Sequence, residues 1–191
     1  DSDVARIVRQ QGGIIFCKTN IPQTMLAFEC SNPVFGITRN PYGKEYTCGG
    51  SSGGEAVLAA SDASALCLGS DIGGSLRIPA HYSGCYGLKP CYGRYPVGGQ
   101  KPLNPGYDSV KPSFGPLGRS VADLRLLSKT IINGAAESTW RTGTMIPVPW
   151  RDDVQLPKKL KFGYYRTDDF LPVSPACRRA VDMSIKALQE A

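Results

Sequence analysis

Apolar residues fall at helical spacing near both ends of the chain. Val4, Ile7 and Val8 stand at i, i+3 and i+4, and Gly12-Gly13 supply a stop, so a helix opens the sequence. Near the other end Ser174 reads as an N-cap and Pro175 as the first helical residue, with Val181, Ile185 and Leu188 along one face. Strand and helix signals alternate in between. Residues 14–17 read as a short buried strand, 66–68 as a strand ahead of Gly69, and 161–165 as another. Residues 55–60 read as a short helix, and Ser120-x-x-Asp123 caps one that runs through Ile132 and ends at Asn133-Gly134. Residues 31–54 and 84–118 read as loop, and 135–157, with Trp140 and Trp150, as a surface connection. The alternation predicts an α/β fold with a substantially parallel sheet. Both ends cut through amphipathic helices whose partners must lie elsewhere, so the chain reads as a fragment of a larger domain.

Composition narrows the class. Of 191 residues 41% are apolar and 20% charged, enough for a packed core. The 22 glycines and 15 prolines follow no collagen period and point to many specified turns and close backbone approaches. No apolar run approaches the roughly 18 residues of a membrane span, and no signal peptide opens the chain, which excludes an integral membrane protein for these residues. The net charge of +6 is dispersed; only Lys158, Lys159 and Lys161 form a run and Arg178-Arg179 a pair. Nucleic-acid binding is therefore not expected. Seven cysteines, irregularly spaced and without C-x-x-C, fit neither a disulfide scaffold nor a structural zinc site. They read as reduced core filler in a cytoplasmic protein.

Candidate chemistry concentrates in residues 49–79. Gly49-Gly50-Ser51-Ser52-Gly53-Gly54-Glu55 is followed by Ser70-Asp71-Ile72-Gly73-Gly74-Ser75-Leu76-Arg77-Ile78-Pro79. A phosphate-cradling loop needs a lysine and a hydroxyl residue after the glycines, and Glu55 stands there instead. A nucleophile elbow, G-x-S-x-G, is satisfied around Ser51 and Ser52, but its histidine base could only be His81, which reads as part of a loop without an aspartate partner. Turn glycines and capping serines would explain one cluster, not two. A fourth reading uses both. Successive N–H groups of Ile72, Gly73, Gly74 and Ser75 would surround a carbonyl oxygen, Ser75 would attack, and Ser51 would move the proton. Serine cannot be the final base near neutral pH, and a buried neutral lysine is the natural third group.

These two clusters resemble the amidase signature family, serine hydrolases with a Ser–cis-Ser–Lys triad. The similarity extends to Lys18-Thr19-Asn20-Ile21-Pro22-Gln23, Glu29-Cys30-Ser31-Asn32-Pro33 and Arg39-Asn40-Pro41 ahead of the serine loop. Beyond it lie Gly84-Cys85-Tyr86-Gly87-Leu88-Lys89-Pro90 and Gly115-Pro116-Leu117-Gly118-Arg119-Ser120. The matches run from about residue 12 to 133, closest to the branch of fungal acetamidases and general amidases that includes fatty acid amide hydrolases. The resemblance implies an α/β/α sandwich around a mixed, largely parallel sheet, incomplete here, with residues 1–191 forming part of one amidase domain. It implies Ser75 as acyl-enzyme nucleophile, Ser51 as the relay after a cis Gly50–Ser51 peptide, and Ile72, Gly73, Gly74 and Ser75 as the oxyanion hole. Ser52 and Arg77 would support the site, and Met25 would line the acyl pocket. The implied reaction splits the C–N bond of a small-molecule amide, with no cofactor and no metal.

The family's lysine is where this sequence departs. It belongs upstream of the Lys-Thr-Asn motif, and no lysine precedes Lys18. Lys18 and Lys89 sit in other family motifs. Residues 1–191 alone are therefore expected neither to fold fully nor to turn over substrate. Two other classes stay open: an inactive fragment or homologue, and a transamidase-type subunit that delivers ammonia. A homodimer and a membrane-anchoring segment elsewhere are left open as well.

Overall fold

The opening helix forms as its spacing requires. In the computed structural model, which describes residues 1–101, 109–138, 145–168 and 170–190, α1 spans Asp3–Gln10. The Ser2 hydroxyl accepts the Ala5 N–H at 3.3 Å, and Asp3 lies in the first turn, where the helix dipole favours a carboxylate. Val4 and Ile7 are fully buried against the long helix α4, Val121–Ser138, which begins after the Ser120 hydroxyl accepts the Asp123 N–H at 3.1 Å. This helix continues through Asn133-Gly134, where the sequence predicts its end. Gly134 is a point of close approach instead. A Cβ there would stand 2.6 Å from Ile7 Cγ2, so the missing side chain lets α1 and α4 pack at short range.

Three strands separate two layers of helix. β5 (Cys67–Asp71), β6 (Tyr86–Gly87) and β7 (Ser113–Gly118) lie in the order β5-β7-β6, with β7 antiparallel to both. Alternate residues face opposite sides. Leu68 and Phe114 pack with Val4, Ile7, Leu127 and Ile131 of α1 and α4. Cys67 and Leu117, paired across the ladder, pack with Ala59 of α2 (Gly53–Ala60), Leu76, and Ala80 of α3 (Arg77–Ser83). This is the expected helix–sheet–helix layering. All strand pairs among the described residues are antiparallel, and the expected parallel pairs are not among them. Two hairpins precede the sheet: β1 (Ser31–Asn32) with β2 (Gly36–Ile37), and β3 (Arg39–Asn40) with β4 (Gly43–Thr47).

Several elements depart from the sequence prediction. β1 to β4, β6, β7 and α3 lie where loop or no element is expected. Gly115 and Pro116 disguise β7, since proline is rare in a central strand. In α3, Pro79 sits in the first turn, where its missing N–H costs nothing, and Gly84 closes the helix at φ 71°. His81 therefore stands exposed on a helix, not in a loop. Residues 14–17 and 161–165 form no strand. Ile14 and Phe16 are 89% and 65% exposed, and no strand among the described residues takes up their backbone hydrogen bonds. The connection after α4 is only partly superficial, because Met145 is buried and Trp150 packs on the α1–α4 core, while Trp140 lies outside the described residues. Of the cysteines, Cys30, Cys48 and Cys67 are buried, but Cys17 and Cys91 are exposed and fill no core.

Residues Arg151–Ala191 form a second compact unit. Its helix α5, Pro175–Glu190, starts as predicted, with the Ser174 hydroxyl accepting the Cys177 N–H at 3.3 Å. Val181 and Ile185 are half-buried, and Leu188 is exposed. No helix among the described residues is long and apolar enough to cross a membrane.

Candidate active site

Side chains, more than regular structure, hold the loops before α2. The Asn20 amide donates to the Gly36 carbonyl at 3.1 Å and the Thr38 hydroxyl at 3.0 Å, while the Asn32 amide donates to the Ile21 carbonyl at 2.8 Å and to Asn20 Oδ1. Asn40 ties three segments: its amide donates to the Thr47 and Tyr82 carbonyls at 3.0 and 2.9 Å, and its Oδ1 accepts the Tyr42 N–H. Each asparagine of the Lys-Thr-Asn, Cys-Ser-Asn-Pro and Arg-Asn-Pro stretches thus ties backbone of separate segments together. Thr19 adds a bond from its hydroxyl to Glu55 Oε1 at 2.8 Å, which fixes this region to α2. Burial raises the Glu55 carboxyl, against the opposing pull of that bond.

The first serine loop enters α2 through a cis Gly50–Ser51 peptide. Gly50 leaves no space for a side chain, because the Glu29 and Ala27 carbonyls lie directly against it. Ser51 and Ser52 are 3% and 4% exposed. The Ser52 hydroxyl bridges the Ser70 backbone, accepting its N–H and donating to its carbonyl, each at 3.2 Å. The Ser52 N–H donates to the Ser75 carbonyl at 3.1 Å. That bond joins the two glycine-serine loops. Ser75 is 7% exposed and lies between β5 and α3.

Asp71 shapes the second loop, and sequence reasoning assigned it no role. Its carboxylate is fully buried at the end of β5. Oδ1 accepts the Gly74 N–H at 2.8 Å, and Oδ2 accepts the Leu76 N–H at 3.0 Å and the Arg77 N–H at 3.4 Å. The Arg77 guanidinium reaches both oxygens at 3.1 and 3.0 Å. Residues 72–76 therefore fold back over one carboxylate, with Gly74 at φ 129°, a conformation that excludes other residues. The available signal was an aspartate six residues before an arginine across a Gly-Gly turn, bidentate spacing that the sequence alone left ambiguous.

Burial alone would raise the Asp71 carboxyl, but the bonds from Arg77, Leu76 and Gly74 outweigh it and hold it below the usual aspartate value. A depressed folded value means a contribution that is complete above the unfolded pKa of about 3.9 and lost as pH falls through the folded one. The gap in melting temperature between the protein and its Asp71→Asn variant is accordingly expected to stay constant from pH 7 to 5 and to narrow below about pH 4. A gap that widens in acid would contradict this account.

The structure brings Ser51, Ser52, Ser75 and Arg77 into one bonded region, with two revisions. The Gly74 N–H, expected to face an oxyanion, is taken by Asp71. The Ile72, Gly73 and Ser75 N–H groups donate to no protein acceptor among the described residues. No hydrogen bond joins the Ser51 and Ser75 hydroxyls; the link between their loops is through the backbone. Met25 sits 37% exposed in a short turn, Gln23–Met25, with φ 60°. Lys18 is exposed and the Lys89 ammonium reaches only the Pro90 carbonyl, so neither bonds Ser51. No carboxylate pairs with His81 among the described residues.

Known proteins share this arrangement of motifs. The family model described as Amidase matches residues 1–191, and the chain belongs to the amidase family. The vitamin D3 hydroxylase-associated protein of Gallus gallus is 42% identical over 194 residues, covering 100% of this chain and 41% of its own length. An acetamidase of Emericella nidulans is 35% identical over 199 residues, covering 100% of this chain and 36% of its own. A solved structure of a fatty acid amide hydrolase superposes with a TM-score of 0.92 at 39% identity, covering 100% of this chain and 33% of that one. The chain thus spans from a third to two fifths of the length of these relatives.

Proposed function

We propose that residues 1–191 are part of one amidase domain whose whole enzyme hydrolyses a carboxylic acid amide to the acid and ammonia or an amine. The observation that carries this reading is the Ser52 N–H to Ser75 carbonyl bond, which sets two buried, glycine-flanked serines beside unpartnered backbone N–H groups. Ser75 Oγ attacks the amide carbon, forming a C–O bond while Ser51 takes the Ser75 proton and passes its own to the base. The Ile72, Gly73 and Ser75 N–H groups receive the oxyanion; one such donor is worth about 3 kcal/mol. Gly74 serves by its conformation, with its N–H on Asp71. The C–N bond then breaks as Ser51 returns a proton to the leaving nitrogen, and water releases the acid from Ser75. The base is a neutral lysine that residues 1–17 do not contain. The acyl group is bounded by the segment around Met25, and relatives named for acetamide and for fatty acid amides bracket its length.

The test is covalent trapping. A fluorophosphonate applied to a protein of the relatives' full length carrying these residues is expected to add one probe mass to the tryptic peptide 45–77, on Ser75. A label on Ser51 or Ser52, with Ser75 free, would overturn the assignment.

A further inference from the structure

Two thiols meet behind the first serine loop. Cys30 and Cys48 are 1% and 0% exposed, and the chemistry above uses neither. Both lie against Gly53 at the start of α2. A Cβ there would stand 2.7 Å from Cys48 Sγ, 3.2 Å from Cys30 Sγ and 2.6 Å from Cys30 Cβ. The two sulfurs are therefore at most about 6 Å apart, over a residue without a side chain.

Their surroundings set them apart. The Cys30 thiol donates to the Asn20 carbonyl at 3.0 Å, and the Cys48 thiol to the Thr38 and Gly49 carbonyls at 3.3 Å. On ionisation the Cys30 sulfur would accept first from the Cys48 S–H, then from the Thr38 hydroxyl and the Gly54 and Gly53 N–H groups at the positive end of α2. These bonds outweigh burial and hold the Cys30 thiol below the ordinary cysteine range, while the same hydrogen bond and burial push Cys48 up. Two reduced sulfurs held against the same glycine, at most about 6 Å apart, can close on one another without a third thiol.

We propose that Cys30 and Cys48 are a peroxide-sensitive dithiol that closes to an intramolecular disulfide. The Cys30 thiolate attacks hydrogen peroxide; an S–O bond forms as the O–O bond breaks, and the departing hydroxide takes a proton to become water. Cys48, on losing its proton, attacks the Cys30 sulfur of the resulting sulfenic acid. The S–S bond forms, the S–O bond breaks and a second water leaves. Two thiols lose two electrons, and one peroxide is reduced to two waters. Closure reaches the serine loop mechanically. Cys48 is two residues from Gly50, and the carbonyl of Glu29, next to Cys30, already lies against Gly50. Drawing the sulfurs to a bonded separation of about 2 Å moves the segment that leads into Ser51 and the Glu29 carbonyl packed against Gly50.

The experiment treats the full chain with a small excess of hydrogen peroxide, alkylates under denaturing conditions and digests with trypsin. The expected product is peptide 19–39 linked to 45–77, lighter by two hydrogens and unalkylated at Cys30 and Cys48. Fragmentation assigns the link to Cys48; it survives Cys67→Ser, is reversed by dithiothreitol and is lost in Cys48→Ser, where Cys30 proceeds to sulfinic acid. Independent alkylation of Cys30 and Cys48 after peroxide, or a link that persists in Cys48→Ser, overturns the proposal. The readout is a peptide mass and stands or falls apart from any amide hydrolysis.

Discussion

In the full-length enzyme proposed above, Ser75→Ala is expected to lower kcat for amide hydrolysis by a factor on the order of 10⁴ to 10⁶ with almost no loss of stability, as removal of a serine nucleophile does elsewhere. The separation of the two effects follows from the bonds. The Ser75 hydroxyl makes no hydrogen bond among the described residues, whereas its carbonyl, which alanine keeps, accepts the Ser52 N–H. The substitution removes one oxygen from a 7% exposed side chain and leaves the joint between the loops intact. Steady-state rates on a simple amide, set beside a thermal melt, measure both quantities. Residual activity within tenfold of the parent would remove Ser75 from the reaction, and a melt lowered by many degrees would show that the hydroxyl is structural.

Asp71→Ala should cost about 3–5 kcal/mol, the range for a buried ionic partner removed from its network. The Gly74 and Leu76 N–H groups would lose their acceptor inside the protein, each at about 1–3 kcal/mol. Against a total stability of about 5–15 kcal/mol this is a large fraction. The Arg77 guanidinium contributes more than either backbone donor to holding the buried carboxylate ionised, although its own side chain is 57% exposed. Arg77→Gln leaves the carboxylate its backbone donors and is therefore expected to cost less than Asp71→Ala, which strands those donors as well. Urea denaturation of the two variants decides the matter: equal losses would mean that the ion pair, and not the folding of residues 72–76 over a carboxylate, holds the loop.

What was legible in the sequence has a physical pattern. Helix α1 announces itself by the spacing of Val4, Ile7 and Val8, and α5 because Ser174-Pro175 fix both cap and first turn. The two serine loops are legible because glycines leave few alternatives where backbone must approach backbone, as at Gly50. β7 was hidden because its register places Pro116 opposite Leu68 in a central strand, a position that propensity argues against. The end of α4 was misplaced because Gly134 answers to Ile7 across the helix interface, a contact that no local rule contains. Asp71 was missed for the same reason. Its five bonds point forward over a turn whose shape is known only once it is folded.

The bonds that assemble the site join distant parts of the chain: Thr19 to Glu55 across 36 residues, Asn40 to Tyr82 across 42 and Ser83 to Cys48 across 35. Each closes a long loop, and the entropy of closure must be met before the contact stabilises anything. The helices can form from neighbours alone, whereas the serine loops depend on contacts between residues 35 to 42 apart in sequence. A newly synthesised chain will therefore carry its helices well before the two serine loops are in place, and the interval between the two is set by how fast residues 19, 40 and 48 find their partners.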